Sequence, residues 1–216
     1  MSKKFWSYVA FFTFLAVGFY FVMTKLIPGF GEVKMPVQSR VRPFTFTDQD
    51  GRMISERDVF GKVYVAEFFF TTCKSICPKM NTNLKAIHEE YKDEPNFVIL
   101  SHTSDPETDS VSRMKEYADS LQVDTRKWWF LTGRKDSLYT AARMSYLLDD
   151  PQNNGANINE QFLHTQFFAL VDKNGRVRKI YDGLKKDELA QLTRDIPRLL
   201  NEPATEKRFA NNMFGN

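Results

Sequence analysis

Two cysteines are all the thiols that the 216 residues hold, and three histidines all the imidazoles. Thiol chemistry in this chain therefore rests on Cys73 and Cys77. Charge of one sign is also lacking: 30 Lys and Arg stand against 27 Asp and Glu, a net +3. The positive residues are scattered, so nothing argues for nucleic acid as a partner. No internal repeat or low-complexity tract is present, and the length fits one globular domain. Phenylalanine is the abundant residue, with 20 copies, six of them in the first 21 positions.

Those early phenylalanines belong to a stretch without charge, Phe5 to Thr24. About 20 such residues suffice for a membrane-spanning helix. Trp6, Tyr8 and Tyr20 lie near its ends, where amphipathic rings favour the headgroup level. A cleaved secretory leader has a shorter apolar core and a small-x-small site. Met23-Thr24-Lys25-Leu26-Ile27 offers no such site and no lipobox cysteine follows, so a retained anchor is expected over 1–27. Lys3 and Lys4 place the N-terminus in the cytoplasm, although Lys25 and Lys34 make the charge balance across the span nearly even. Pro28-Gly29, Gly31 and Pro36 mark a linker over 28–40. A folded domain over 41–200 and a frayed tail over 201–216 complete the expected plan.

Within the domain, Phe44 and Phe46 alternate with threonines before Asp48-Gln49-Asp50-Gly51, a hairpin signal. Lys62 to Phe70 reads as a strand. Ile76, Met80, Leu84, Ile87 and Tyr91 follow at helical spacing. Phe97 to Leu100 is a short buried strand, and Asp105-Pro106 resembles a helix cap followed by proline at the first helical position. Trp128 to Leu131 is a strand and Ser137 to Leu147 a helix. A polar loop covers Asp149 to Leu163. Phe167 to Val171 and Arg176 to Tyr181 flank Asp172-Lys173-Asn174-Gly175, a second hairpin signal. The last helix starts near Lys186 and is expected to break or end near Pro197. This alternation predicts an α/β domain, a mostly parallel central sheet with helices on its faces. The closing hairpin and helix follow the thioredoxin plan.

The two cysteines sit where the strand hands over to the helix, in Thr71-Thr72-Cys73-Lys74-Ser75-Ile76-Cys77-Pro78. Proline is tolerated only in a helix's first turn, so the helix should begin near Ser75, with Ser75 as its cap. Cys77 then lies in the first turn and Cys73 in the preceding loop, where the helix N-terminus favours thiolate. Such a pair can close as a disulfide or hold a soft metal, and a third ligand would tip the balance. His164 ends the polar loop, which in thioredoxin topology passes over the cysteines. An S2N set of Cys73, Cys77 and His164 suits Cu(I), Zn or, through imidazole, Cu(II).

Four further residues could stand behind that set. Glu67 lies six residues before Cys73, the offset of the buried proton-transfer acid of thioredoxins, although a solvated strand face is the competing and preferred expectation. His102 ends a central strand and could substitute for a ligand or support one. Asp105 and Asp109 could approach the site, but a cap with first-turn acids already explains both. His88, eleven residues after Cys77, is about three helical turns away and is expected at the surface.

Taken together, Phe68-Phe69-Phe70-Thr71-Thr72-Cys73-x-x-x-Cys77-Pro78, Asp105-Pro106-x-x-Asp109, and His164 ahead of Phe168-Ala169-Leu170-Val171-Asp172-x-x-Gly175 resemble the Sco/SenC family of membrane-anchored copper proteins. The resemblance covers roughly residues 40–200 plus the anchor; Glu67 and His102 are not among the residues that carry it. It implies a thioredoxin-like domain that binds copper through the two cysteines and the histidine. It also implies help in building the dinuclear copper centre of cytochrome c oxidase, whose copper-bearing subunit would be a partner beside other copper chaperones or thiol–disulfide proteins. With no Arg-rich, acid-poor presequence, a bacterial inner-membrane protein facing the periplasm is the simpler setting. Three rivals are a thiol–disulfide oxidoreductase, a thiol peroxidase of the same fold and a copper or redox sensor. CxxxC with His164 counts against the first, and Phe70 where a peroxidase would carry threonine counts against the second.

Overall fold

A computed structural model describes residues 3–26, 34–150, 152, 157, 158, 161, 163 and 165–205. The chain divides into two compact units, residues 1–35 and 36–216. The first holds helix α1, Lys3–Leu26, which is long and apolar enough to cross a membrane.

The second unit is built on one sheet. Its strands are β1 (Ser39–Arg40), β2 (Thr45–Asp48), β3 (Met53–Ser55), β4 (Val63–Phe69), β5 (Phe97–Thr103), β6 (Trp128–Thr132), β7 (Phe167–Val171) and β8 (Arg176–Asp182). They lie in the order β1-β8-β7-β4-β5-β6-β2-β3. The central β4, β5 and β6 pair in parallel, as the strand–helix alternation predicts, and the other pairings are antiparallel. Helices α2 (Cys77–Tyr91), α3 (Val111–Leu121) and α5 (Lys186–Leu200) contact these strands, while α4 (Lys135–Thr140) follows β6. Every residue of β4 and β5 is buried, because a central parallel strand is covered on both faces. Alternation then sorts their side chains. Tyr64, Ala66 and Phe68 join Phe44, Phe46 and Tyr146 in one cluster, and Glu67 and Phe69 point the other way.

The two predicted hairpins share one construction. In Asp48-Gln49-Asp50-Gly51-Arg52, Asp48 Oδ1 accepts the amides of Asp50 and Arg52 at 2.9 and 2.8 Å, and Oδ2 accepts Arg52 Nε at 2.7 Å. In Asp172-Lys173-Asn174-Gly175-Arg176 the equivalent distances are 2.9, 3.0 and 2.7 Å. Gly51 and Gly175 take φ of 79° and 67°, the left-handed position that closes a three-residue hairpin loop.

The helices differ from expectation in four places. α2 begins at Cys77 with Ile76 at its cap position and no side-chain cap; the Ser75 hydroxyl lies 3.7 Å from Cys73 Sγ instead. α3 begins at Val111 rather than Asp105, and Ser110 Oγ caps it by accepting the Arg113 amide at 3.3 Å. α4 runs on into a π-helical turn, Ala141–Tyr146, closed by Leu147 at φ 57°. α5 continues through Pro197 to Leu200. Proline there deprives the Thr193 carbonyl of its helical donor, and the Tyr91 hydroxyl donates to that carbonyl at 2.7 Å.

Candidate metal centre

Cys73 and Cys77 are free thiols at the end of β4 and the start of α2. The Cys73 amide donates to the Phe70 carbonyl at 3.1 Å, turning the chain back from the strand. Cys77 is 3 % exposed, Cys73 partly exposed. Their acidities are split. Burial opposes ionisation of Cys73, but hydrogen bonds from the Cys77 thiol and amide and from Ser75 outweigh it and lower its pKa. Burial, then the neighbouring Cys73 sulfur, push Cys77 well above the ordinary thiol range. The outer thiol is the reactive one.

Below them lies Glu67, with 0 % exposure. This corrects the expectation of a solvated face: α2 and α3 cover the side of the sheet that alternation would leave wet in an open strand. Glu67 Oε1 accepts Ser101 Oγ at 2.6 Å, and Trp128 Nε1 donates to that same hydroxyl at 2.7 Å. Among the described residues Glu67 Oε2 has no hydrogen-bond partner, and burial raises the carboxyl to about 8. Asn81 Nδ2 donates to Tyr117 Oη at 2.6 Å, and the Tyr117 ring stacks on Phe69.

The other candidates separate. His102 lies on the opposite face of the sheet, stacked on Phe68 with centroids 5.0 Å apart and wedged against Phe46 and Tyr146. Burial lowers it to about 4, so it is a neutral core residue and does not reach the cysteines. His88 is 3 % exposed, not at the surface as expected; it packs 5.7 Å from the Trp128 ring. Asp105 is no cap: its carbonyl accepts the Thr108 and Asp109 amides at 3.1 and 2.9 Å, forming a turn ahead of α3. Asp109 is 0 % exposed and accepts hydrogen bonds from Thr71 and Thr103. The Thr71, Thr103 and Arg113 contacts carry no spacing signal, because the turn of the chain brings them together. His164 lies outside the described residues, and among the described residues no group of three potential ligands could hold a metal ion. The adjoining Leu163 and Thr165 are buried. Register places the start of β7 at the end of the sheet where β4 ends, since Ala169 opposes Ala66 and the strands run antiparallel.

Comparison with known proteins gives this arrangement its context. The SCO1/SenC family model matches residues 34–201. The SCO1 protein homolog of Bacillus subtilis is 30% identical over 169 residues, covering 76% of this chain and 85% of that one. Among solved structures, BsSco, described as a member of the Sco family of cytochrome c oxidase assembly proteins with a disulfide switch, superposes with a TM-score of 0.67. It is 29% identical and the match covers 80% of this chain and 99% of that one. Arabidopsis thaliana ScoI with copper bound shares the fold at a TM-score of 0.57 and 24% identity, over 75% of this chain and 98% of that one. With the family model spanning the whole of the sheet and its helices, this chain belongs to the SCO1/SenC family.

Proposed function

We propose that the chain is a membrane-anchored copper metallochaperone that assists assembly of the copper centre of cytochrome c oxidase. Copper is its cargo. Cys73 and Cys77 bind it as thiolates and His164 as a neutral imidazole. The observation that carries this reading is the pair of free thiols, one partly exposed and one buried, at a strand–helix junction. Soft thiolates with an imidazole favour copper. Family membership and the copper-bound Arabidopsis relative point the same way. Residues 1–27 anchor the protein, and the domain that carries the cysteines, from β1 onward, lies on the periplasmic side of a bacterial inner membrane. An open three-ligand site suits transfer, because a ligand from the oxidase subunit can enter as one from this chain leaves.

A second reading rests on the split acidities: the pair can reduce a partner disulfide. Cys73 thiolate attacks, Cys77 resolves, and two electrons pass to the partner as its two thiols form. The test is copper titration of the reduced full chain in detergent, beside His164→Ala. One copper per chain, weakened by that substitution and giving a thiolate-to-Cu(II) band that depends on His164, is expected. Binding indifferent to His164, with disulfide exchange intact, would leave the reductase.

A further inference from the structure

We propose that Asp109 is a positioning residue for the cysteine loop, acting through Thr71; this rests on the metallochaperone reading and deepens it. Asp109 is a fully buried carboxylate that neither caps a helix nor faces solvent. Its Oδ2 accepts the Thr71 amide at 3.2 Å and Thr103 Oγ1 at 2.6 Å, and its Oδ1 accepts the Thr71 hydroxyl. Arg113 Nε donates to Thr71 Oγ1 at 2.7 Å and stands 4.0 Å from Asp109 Oδ1. Thr71 is thus held by backbone and side chain together, two residues before Cys73. The carboxylate is itself fixed from behind. The Asp109 amide donates to the Asp105 carbonyl at 2.9 Å, and the Asp105 amide donates to Thr103 Oγ1 at 2.9 Å.

Across the same strand ends, the Ser104 amide donates to the Phe69 carbonyl at 2.8 Å. The chain is therefore pinned at Phe69 and Thr71, and the turn that carries Cys73 departs from a fixed point. Both oxygens of Asp109 are occupied by donors, so its part is to aim the loop rather than to bind metal. Charge-assisted bonds of this kind are the strong ones, and outer partners of metal ligands commonly carry about 10-fold or more of the affinity.

The test compares Thr71→Val, which removes the hydroxyl without changing shape, Thr71→Ser, which keeps it, and Asp109→Asn. Each is made in the full chain in detergent. Two readouts are taken: Cu(I) affinity against a competitor, and the equilibrium of the Cys73–Cys77 disulfide with dithiothreitol in metal-free protein. Thr71→Val and Asp109→Asn should weaken Cu(I) binding about 10-fold. They should also shift the disulfide equilibrium about 10-fold toward the dithiol, because sulfurs no longer held together close a ring less readily. Thr71→Ser should restore both. Wild-type values for Thr71→Val, or a lowered melting temperature with an unchanged disulfide equilibrium, would overturn the proposal. The disulfide readout needs no copper, so it stands or falls separately from the metallochaperone reading.

Discussion

Replacing Glu67 by glutamine should stabilise the reduced, metal-free protein by an amount that grows as pH rises above about 5. The carboxyl is buried, and the hydrogen bond from Ser101 does not offset the loss of water, so its pKa rises from 4.5 to about 8. Between those values the native state holds a proton that the unfolded state has released. Stability therefore falls as pH rises through that window and is complete only below it. The window is about 3.5 pH units, and each unit is worth about 1.4 kcal/mol, so the full cost is about 5 kcal/mol. From pH 5 to pH 7 alone it is about half of that, a large fraction of a typical domain's stability. Glutamine keeps an acceptor for Ser101 and carries no proton to lose. Urea unfolding at pH 5, 6, 7 and 8 should give curves that nearly coincide at pH 5 and diverge steadily above it. A constant gap between wild type and Glu67→Gln across that range would refute the reasoning.

His102 titrates in the opposite sense. Burial holds its pKa at about 4 against an ordinary 6.5, so native stability is full above pH 6.5 and falls as acid approaches pH 4, by about 3 kcal/mol in all. NMR titration of the ring should find it neutral at pH 5; a midpoint near 6.5 would contradict the buried aromatic setting. At the hairpins, Gly51→Ala and Gly175→Ala should each cost about 1–2 kcal/mol through left-handed backbone strain alone, because an added Cβ meets nothing within 4 Å at either position. Matched losses in thermal unfolding would bear this out, and a much larger loss at one glycine would break the equivalence of the two turns.

Much of this was legible in the sequence, and the exceptions have physical causes. The central strands announced themselves as apolar runs, and the cysteines by their place between strand and helix. Glu67 was misjudged because polar alternation signals a wet face only where one face is wet, and β4 is covered on both. The burial of His88 and His102 did have signals. His88 follows Leu84 by four residues on the stripe of α2, and His102 continues the Val98, Leu100 face of β5. A histidine on an apolar stripe is a core residue first. Thr71, Thr103 and Arg113 could not be found this way. Their meeting depends on where Asp109 folds back, 38 residues after Thr71 in the chain. The π-helical turn after α4 is likewise invisible to a search at a period of 3.6 residues.

The paired turns also act as a ruler. Because Asp172 grips its own Arg176 and the amides of Asn174 and Arg176, the turn sets Val171 opposite Val177, and a bulge between Leu170 and Val171 then carries the offset one residue further along β8. A slip of one residue would exchange the two faces of β7 and shift its far end by about 3.3 Å. That far end leads back through Gln166 and Thr165 toward the cysteine end of the sheet. An ordinary acid–arginine clasp some 17 Å away thus helps to set where Phe167 begins β7 at that end of the sheet.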